Sequence, residues 1–335
     1  MIRTPNGIYL AAFAAAIFMT CGVDGFKTVG DLKVVIDTDV GADDAMAILM
    51  MLSKQSKARV MAITTVRGNT GVENATMGAL LTLQVAKRME IPVYMGSPQG
   101  LVFEQNSTNH FGFDGLGDIF VKPPLKQRQD VHAALALINL VKKNPGEISL
   151  LCIGPLTNLA LAMHVYPRLI MDLKEVVISG GSYKGQGNIR PAVEFNMYMD
   201  SEAASYVFSN ANNNKLITLI PHETIEETAV DKSWRLKDLG KIDSGFVRFL
   251  NKAEKVSLSR KDDSWMAYGQ TAASVLLDPA IVTSTRMAWV DVEASGRLTR
   301  GAMILNQDTK LINVRIVTAI SKIGLENMLL SYLRG

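Results

Sequence analysis

The chain has 335 residues, 48% of them hydrophobic and 20% charged, with 35 Lys and Arg against 32 Asp and Glu for a net charge of +3. This composition excludes a disordered, collagenous or low-complexity chain, and the near balance of charge excludes a nucleic-acid polymer as partner. Two cysteines are too few for a disulfide scaffold. Behind Arg3, residues 8–19 form an uncharged apolar run that gives way to small residues near Cys21 and Gly22, the pattern of a secretory signal. The run is shorter than the ~20 residues a bilayer span requires. The expectation is a signal peptide over 1–24, a secreted protein with no membrane attachment after signal removal, and a domain over 32–335. From residue 33 onward, short β-branched runs alternate with longer helical patterns. Strands are predicted over 33–37, 59–65, 92–95, 148–153, 175–179 and 216–221, and helices over 43–54, 72–88, 132–144, 156–165, 200–209 and 265–277. The alternation predicts an α/β fold, an open and mostly parallel sheet flanked by helices. No linker, repeat or composition break divides the chain, so one large domain is expected. In such sheets ligands gather at the carboxyl ends of the strands.

The first of those strand ends is unusual. Four carboxylates, Asp37, Asp39, Asp43 and Asp44, fall within eight residues of an otherwise apolar segment. Like charges this close raise one another's pKa unless a cation lies among them. Clustered carboxylate oxygens suit a hard divalent cation such as Ca2+. Asp37 and Asp39, two apart, project to the same side of the strand end. Asp43 and Asp44 enter the first turn of the next helix, where the dipole favours negative charge. Helix capping with a solvated loop accounts for one or two of these residues but not for four. An Asp-x-Asp at a strand end also fits the nucleophile loop of haloacid-dehalogenase-type phosphatases, so this segment alone leaves two chemistries open.

The rest of the chain separates them. Asp37-Thr38-Asp39-x-Gly41-x-Asp43-Asp44 closely resembles the amino-terminal fingerprint of the inosine-uridine-preferring nucleoside hydrolases, and three more segments resemble that family in order. They are Ala62 to Asn69, the turn Gly154-Pro155-Leu156-Thr157-Asn158, and Gly187-Asn188-x-x-Pro191-x-x-Glu194-Phe195-Asn196. The resemblance covers roughly residues 33–279. It implies hydrolysis of the N-glycosidic bond of ribonucleosides to free base and ribose, with Ca2+ holding the ribose 2′- and 3′-hydroxyls and the attacking water. It further implies Asp39 as metal ligand and general base, Asp44 as bidentate ligand, Thr157 as a carbonyl ligand and Asp37 as a supporting group. Asp43 and Asn196 are expected to bond ribose hydroxyls, and Asn69, Asn188 and Glu194 to complete the sugar pocket, with Tyr268 beside the base. Partners implied are a small nucleoside and further copies of the chain, as a dimer or tetramer.

Each of these residues also has a plainer structural explanation. Asn69 and Asn188 follow glycines and suit left-handed turn positions, Asn158 suits a helix cap, and Glu194 suits an exposed charge. The glycines of Phe111 to Asp118 suit a mobile lid or an ordinary surface turn. Of the four histidines, His110 and His222 are placed in loops near the site, and His132 and His164 are read as helix residues. In one place the family pattern breaks. Gly269 stands where the family has another aspartate ligand, which motivates a second expectation, a catalytically impaired secreted protein that binds nucleoside or acts through interaction.

Overall fold

Val34, Val35 and Ile36 are fully buried on both faces of the chain's first strand, and such a continuous apolar run marks an interior parallel strand. The computed structural model describes residues 32–121, 128–212, 214–306 and 310–335. The expected signal over 1–24 lies outside them. In chain order the elements are β1 (Leu32–Thr38), α1 (Ala42–Leu52), β2 (Ala58–Thr65), α2 (Val72–Ala86), β3 (Val93–Met95), β4 (Arg128–Gln129) and α3 (Ala133–Lys143). Then come β5 (Ile148–Cys152), α4 (Thr157–Val165), α5 (Leu169–Asp172), β6 (Glu175–Ser179), α6 (Phe195–Met199), α7 (Ser201–Asn210), β7 (Ile217–Ile220) and α8 (His222–Glu227). A short pair, β8 (Val230–Asp231) and β9 (Ser264–Trp265), brackets α9 (Lys232–Lys237), α10 (Gly245–Ala253) and α11 (Lys255–Leu258). The chain closes with α12 (Tyr268–Leu277), β10 (Val282–Val292), β11 (Met303–Asn306), β12 (Val314–Ile320) and α13 (Lys322–Tyr332).

Ten strands form one sheet in the order β11-β10-β12-β7-β6-β5-β1-β2-β3-β4. All neighbours from β12 to β4 are parallel, and β10 runs antiparallel to both β12 and β11. The chain builds outward from β1 to β4, then returns to β5 on the other side of β1 and builds toward β7. Strand order therefore reverses between β1 and β5, and the crevice at the carboxyl ends of those two strands is where such folds bind ligands. Residues 31–335 form one compact unit, as expected.

Helices cover both faces. One apolar layer includes Met46, Leu49, Leu80 and Leu250, and the other includes Leu137, Met163, Val176 and Phe208. All eleven residues of α1 are buried, Asp43 and Asp44 among them. A helix enclosed on every side has no solvated face for charge, so those two carboxylates are not surface decoration. Where structure and expectation differ, tertiary pairing decides. The helix expected from 265 starts at Tyr268 because Val230 and Asp231 pair with Trp265 and Ser264. Beyond the expected elements, β12 adds parallel to β7, and β10 and β11 continue the sheet antiparallel from it.

Candidate active site

β1 ends in the four-carboxylate segment, and the loops after β2, β5 and β6 converge on it. Asp37 accepts hydrogen bonds from the Thr64 hydroxyl and, at 2.8 Å, from Asn158 Nδ2. Asn158 also donates to the Thr65 carbonyl and accepts from the Ser97 N–H. The expected helix cap is instead a buried cross-brace between three strand ends. Asp39 accepts the Asn69 backbone N–H at 2.6 Å, and the Thr38 hydroxyl donates to Asp44 at 2.7 Å. Capping does not explain Asp43 or Asp44, since Gly41 is the N-cap of α1 and makes no side-chain cap.

Glycines decide where Asp39 stands. A Cβ on Gly68 would lie 2.0 Å from Asp39 Oδ2, and one on Gly154 would lie 2.8 Å from the Asp39 backbone nitrogen. Both loops approach so closely only because they carry no side chain there.

Burial governs the electrostatics. It pushes Asp37 up to about 7 against the attraction of its Thr64 and Asn158 hydrogen bonds. Asp39, Asp43 and Asp44 are likewise raised, first by desolvation and, for the latter two, next by neighbouring carboxylates. Asp39 and Asp44 lie within hydrogen-bonding reach of each other. Oδ2 of Asp37 and Oδ1 of Asp39 and of Asp43 are buried without a partner. Orphaned, mutually repelling oxygens of this kind are what a hard cation satisfies. Among the described residues no three acidic, His or Cys side chains form a metal-holding group. Gly269, in the first turn of α12, faces this cluster without a side chain of its own. A Cβ there would meet Asp44 Oδ1 at 2.8 Å, so α1 and α12 have closed over the position. The orphaned carboxylate oxygens fit a hard divalent cation.

Above this buried layer lies a cavity of about 510 Å3. Asp43, Asn69, Asn188, Glu194, Asn196 and Tyr268 all line it, the six residues expected to touch substrate. Asp37, Asp39, Asp44 and Thr157, each at most 1% exposed, sit apart from its lining. Glu194 is 3% exposed rather than a surface charge. Its carboxylate accepts the N–H groups of Gly181, Asn196 and Met197, capping α6, and burial nevertheless pushes it up to about 7. Asn196 Nδ2 bridges the Ile153 and Ser179 carbonyls. The Thr157 hydroxyl donates to Asp200, which itself N-caps α7. Neither Asn69 nor Asn188 has a positive φ, so the turn explanation fails for both.

The Phe111 to Asp118 segment is a turn-rich loop held by its own hydrogen bonds. Asp114 and Asp118 accept its backbone N–H groups, the Thr70 hydroxyl donates to the Phe113 carbonyl, and His110 and Phe111 face the cavity. His222, placed in a loop by sequence, opens α8 and reaches Tyr268. His132 N-caps α3 and His164 packs on Tyr206. Sequence reasoning missed the far wall. Arg235, fully buried, pairs with Glu254, whose other oxygen accepts the Trp265 indole N–H at 2.7 Å. Glu254 and Trp265 both line the cavity. No local pattern marks them, since the partners are 19 and 11 residues from Glu254.

The profile of a family described as inosine-uridine preferring nucleoside hydrolase matches residues 34–326. A protein of that description from Leishmania major is 33% identical over 279 residues, 82% of this chain and 87% of its own. A uridine nucleosidase of Arabidopsis thaliana is 39% identical over 202 residues, 57% of this chain and 60% of its own. Among solved structures, a plant nucleoside hydrolase superposes with a TM-score of 0.84 at 29% identity, covering 91% of this chain and all of that one.

Proposed function

The chain belongs to the inosine-uridine preferring nucleoside hydrolase family, and from that premise we propose that it hydrolyses the N-glycosidic bond of ribonucleosides with Asp39 as general base. The observation that carries this reading is the layering of the site. Buried carboxylates with orphaned oxygens lie under a cavity lined by the amides of Asn69, Asn188 and Asn196 and the acids Asp43 and Glu194. Desolvation lifts the Asp39 carboxyl above its ordinary range in the metal-free protein, and a cation bound beside it would favour the ionised form that accepts a proton. Asp39, Asp44 and the Thr157 carbonyl would hold Ca2+, which when bound lowers the pKa of water and orients it. Asp43 and Asn196 hydrogen-bond the ribose hydroxyls, and Asn69, Asn188 and Glu194 hold the rest of the sugar. Positive charge develops on the ribose as the base leaves, and this ring of carboxylates stabilises it.

Release of ribose from inosine, adenosine and uridine, with and without chelator, tests the reading. Turnover that chelation abolishes is expected; no ribose at high protein concentration overturns it. Gly269 favours one second reading, an impaired nucleoside-binding protein. In that case the wild type binds nucleoside without releasing ribose, and Gly269→Asp gains hydrolysis. Export directed by residues 1–24 and assembly as a dimer or tetramer belong to the same proposal. Amino-terminal sequencing of the protein recovered from its source, and light scattering, check them.

A further inference from the structure

Tyr268 enters the cavity from the first residue of α12, and three polar atoms surround its phenol oxygen. Asn188 Nδ2 donates to it at 3.2 Å, His222 Nδ1 lies 3.0 Å away, and the Met266 sulfur, a weak acceptor, lies at 3.4 Å. The Asn188 amide cannot turn over without loss, because its oxygen accepts the Phe195 N–H at 2.8 Å. The imidazole is parallel to the phenol ring within 5°, at 6.0 Å between centroids, and the residue is 4% exposed. It stands on a pinned turn. The His222 N–H donates to the Gly181 carbonyl, and the adjacent Glu223 carboxylate accepts from Ser182, Tyr183 and Lys184.

A phenol oxygen carries one proton and two lone pairs. Asn188 fills one lone pair. With His222 neutral and its proton on Nε2, Nδ1 accepts the phenol proton, and Tyr268 turns only a lone pair to the cavity. With His222 protonated, Nδ1–H fills the second lone pair, and the phenol's own proton turns away from both partners to the cavity side, where the Met266 sulfur is only a weak competing acceptor. We propose that His222 is a positioning residue that sets the direction of the Tyr268 hydroxyl proton, and that with His222 protonated Tyr268 passes this proton to the departing base. The inference rests on the hydrolase reading above. As the glycosidic C–N bond breaks, its electron pair goes to the base nitrogen, which takes the phenol proton. The phenol oxygen takes the His222 Nδ1 proton, water bonds to the sugar carbon and Asp39 takes the water's proton. Solvent then reprotonates His222 and deprotonates Asp39.

A phenol alone would be a poor donor here, since burial raises Tyr268 further above its ordinary value. A proton arriving from His222 as one departs avoids forming the phenolate. The charged groups about His222 are Glu223 and Glu226 of its own helix, which oppose the downward push of burial. Lys184, on the loop after β6, is paired with Glu227. Across the cavity, Glu194 and Asp43 act on Tyr268. The β12 side meets α8 through the Thr224 hydroxyl on the Val317 carbonyl.

Kinetics on two leaving groups provide the test. Inosine needs a protonated base to leave, whereas a nitrophenyl riboside releases a stable anion. His222→Gln and Tyr268→Phe are expected to lower kcat on inosine at least ten-fold more than on the nitrophenyl riboside, with KM little changed. The fall of the wild-type inosine rate above the His222 pKa should vanish in His222→Gln. Equal losses on both substrates, or an unaltered pH profile, overturn the proposal. Nitrogen NMR of the four imidazoles supplies a readout that needs no turnover. Neutral His222 should carry its proton on Nε2, with an Nδ1 signal that moves in Tyr268→Phe; a proton on Nδ1, or no response, also overturns it. A chain that hydrolyses neither substrate would count against the hydrolase reading, and the NMR result would still decide whether His222 sets the hydroxyl.

Discussion

Asp39 stands between Gly68 and Gly154, and the missing side chains of its neighbours position it as firmly as its hydrogen bond to Asn69 does. Asp39→Asn should lower kcat by about 1,000-fold, within the range for loss of a general base, with the far-ultraviolet spectrum unchanged. Gly68→Ala, though it introduces only a methyl group, should cost about 100-fold by displacing the carboxylate, the scale expected of a 1 Å misplacement. Retention of full activity by the alanine variant would show that Asp39 has room the structure denies it. Glu194 carries a pH signature. Its folded value of about 7 lies above the ordinary 4.5, so the stability it contributes is complete below pH 4.5 and lost as pH rises through 7. The loss is roughly 3 kcal/mol at 1.36 kcal/mol per unit. In metal-free protein, Glu194→Gln should gain on the wild type in urea unfolding between pH 5 and pH 8; parallel curves would contradict this. These residues were legible in sequence because they lie in short ordered motifs. Their burial was only partly so, since the apolar neighbours Val193 and Phe195 make an exposed Glu194 less natural but do not show which segments cover it.

At the level of elements, the cavity wall depends on a buried ion pair. Arg235 of α9 and Glu254, just past α10, are 0% and 2% exposed at their side chains, and Glu254 also holds Trp265 of β9. Removing one partner strands a buried charge, so Glu254→Ala should cost about 3–5 kcal/mol of unfolding free energy. Trp265 fluorescence should shift with it, because the indole loses its acceptor. A loss below 1 kcal/mol would mean that water reaches Arg235. The sequence shows ordinary charged residues at these positions, and only the packing of α9, α10 and β9 brings them together. The same cause moved the start of α12 to Tyr268. Helical periodicity begins earlier, but the pairing of Trp265 with Val230 holds that residue extended. Tyr268 thereby becomes the first residue of the helix, which places its phenol at the cavity and against His222.

For the whole molecule, the cation question is one of linkage. A ligand that binds only the folded state stabilises it by about 2.7 kcal/mol at 100 times its Kd. Ca2+ should therefore raise the melting temperature in calorimetry and chelation should lower it; no shift at millimolar Ca2+ would reject the cation. Gly269→Asp should tighten Ca2+ binding while destabilising the metal-free protein, because its Cβ meets Asp44 Oδ1 at 2.8 Å. The sequence by itself determined the α/β class, the parallel core of the sheet, and six residues of the cavity lining. Strand periodicity and contiguous motifs are local properties, whereas the reversal of strand order beside β1 belongs to the assembled sheet. Only the tertiary structure decided that four aspartates are buried together, that Asn158 braces three strand ends, that Glu254 lines the cavity while His222 stands behind Tyr268, and that α1 packs against Gly269. Those facts depend on which distant segments exclude water together, and no stretch of sequence records its neighbours in space.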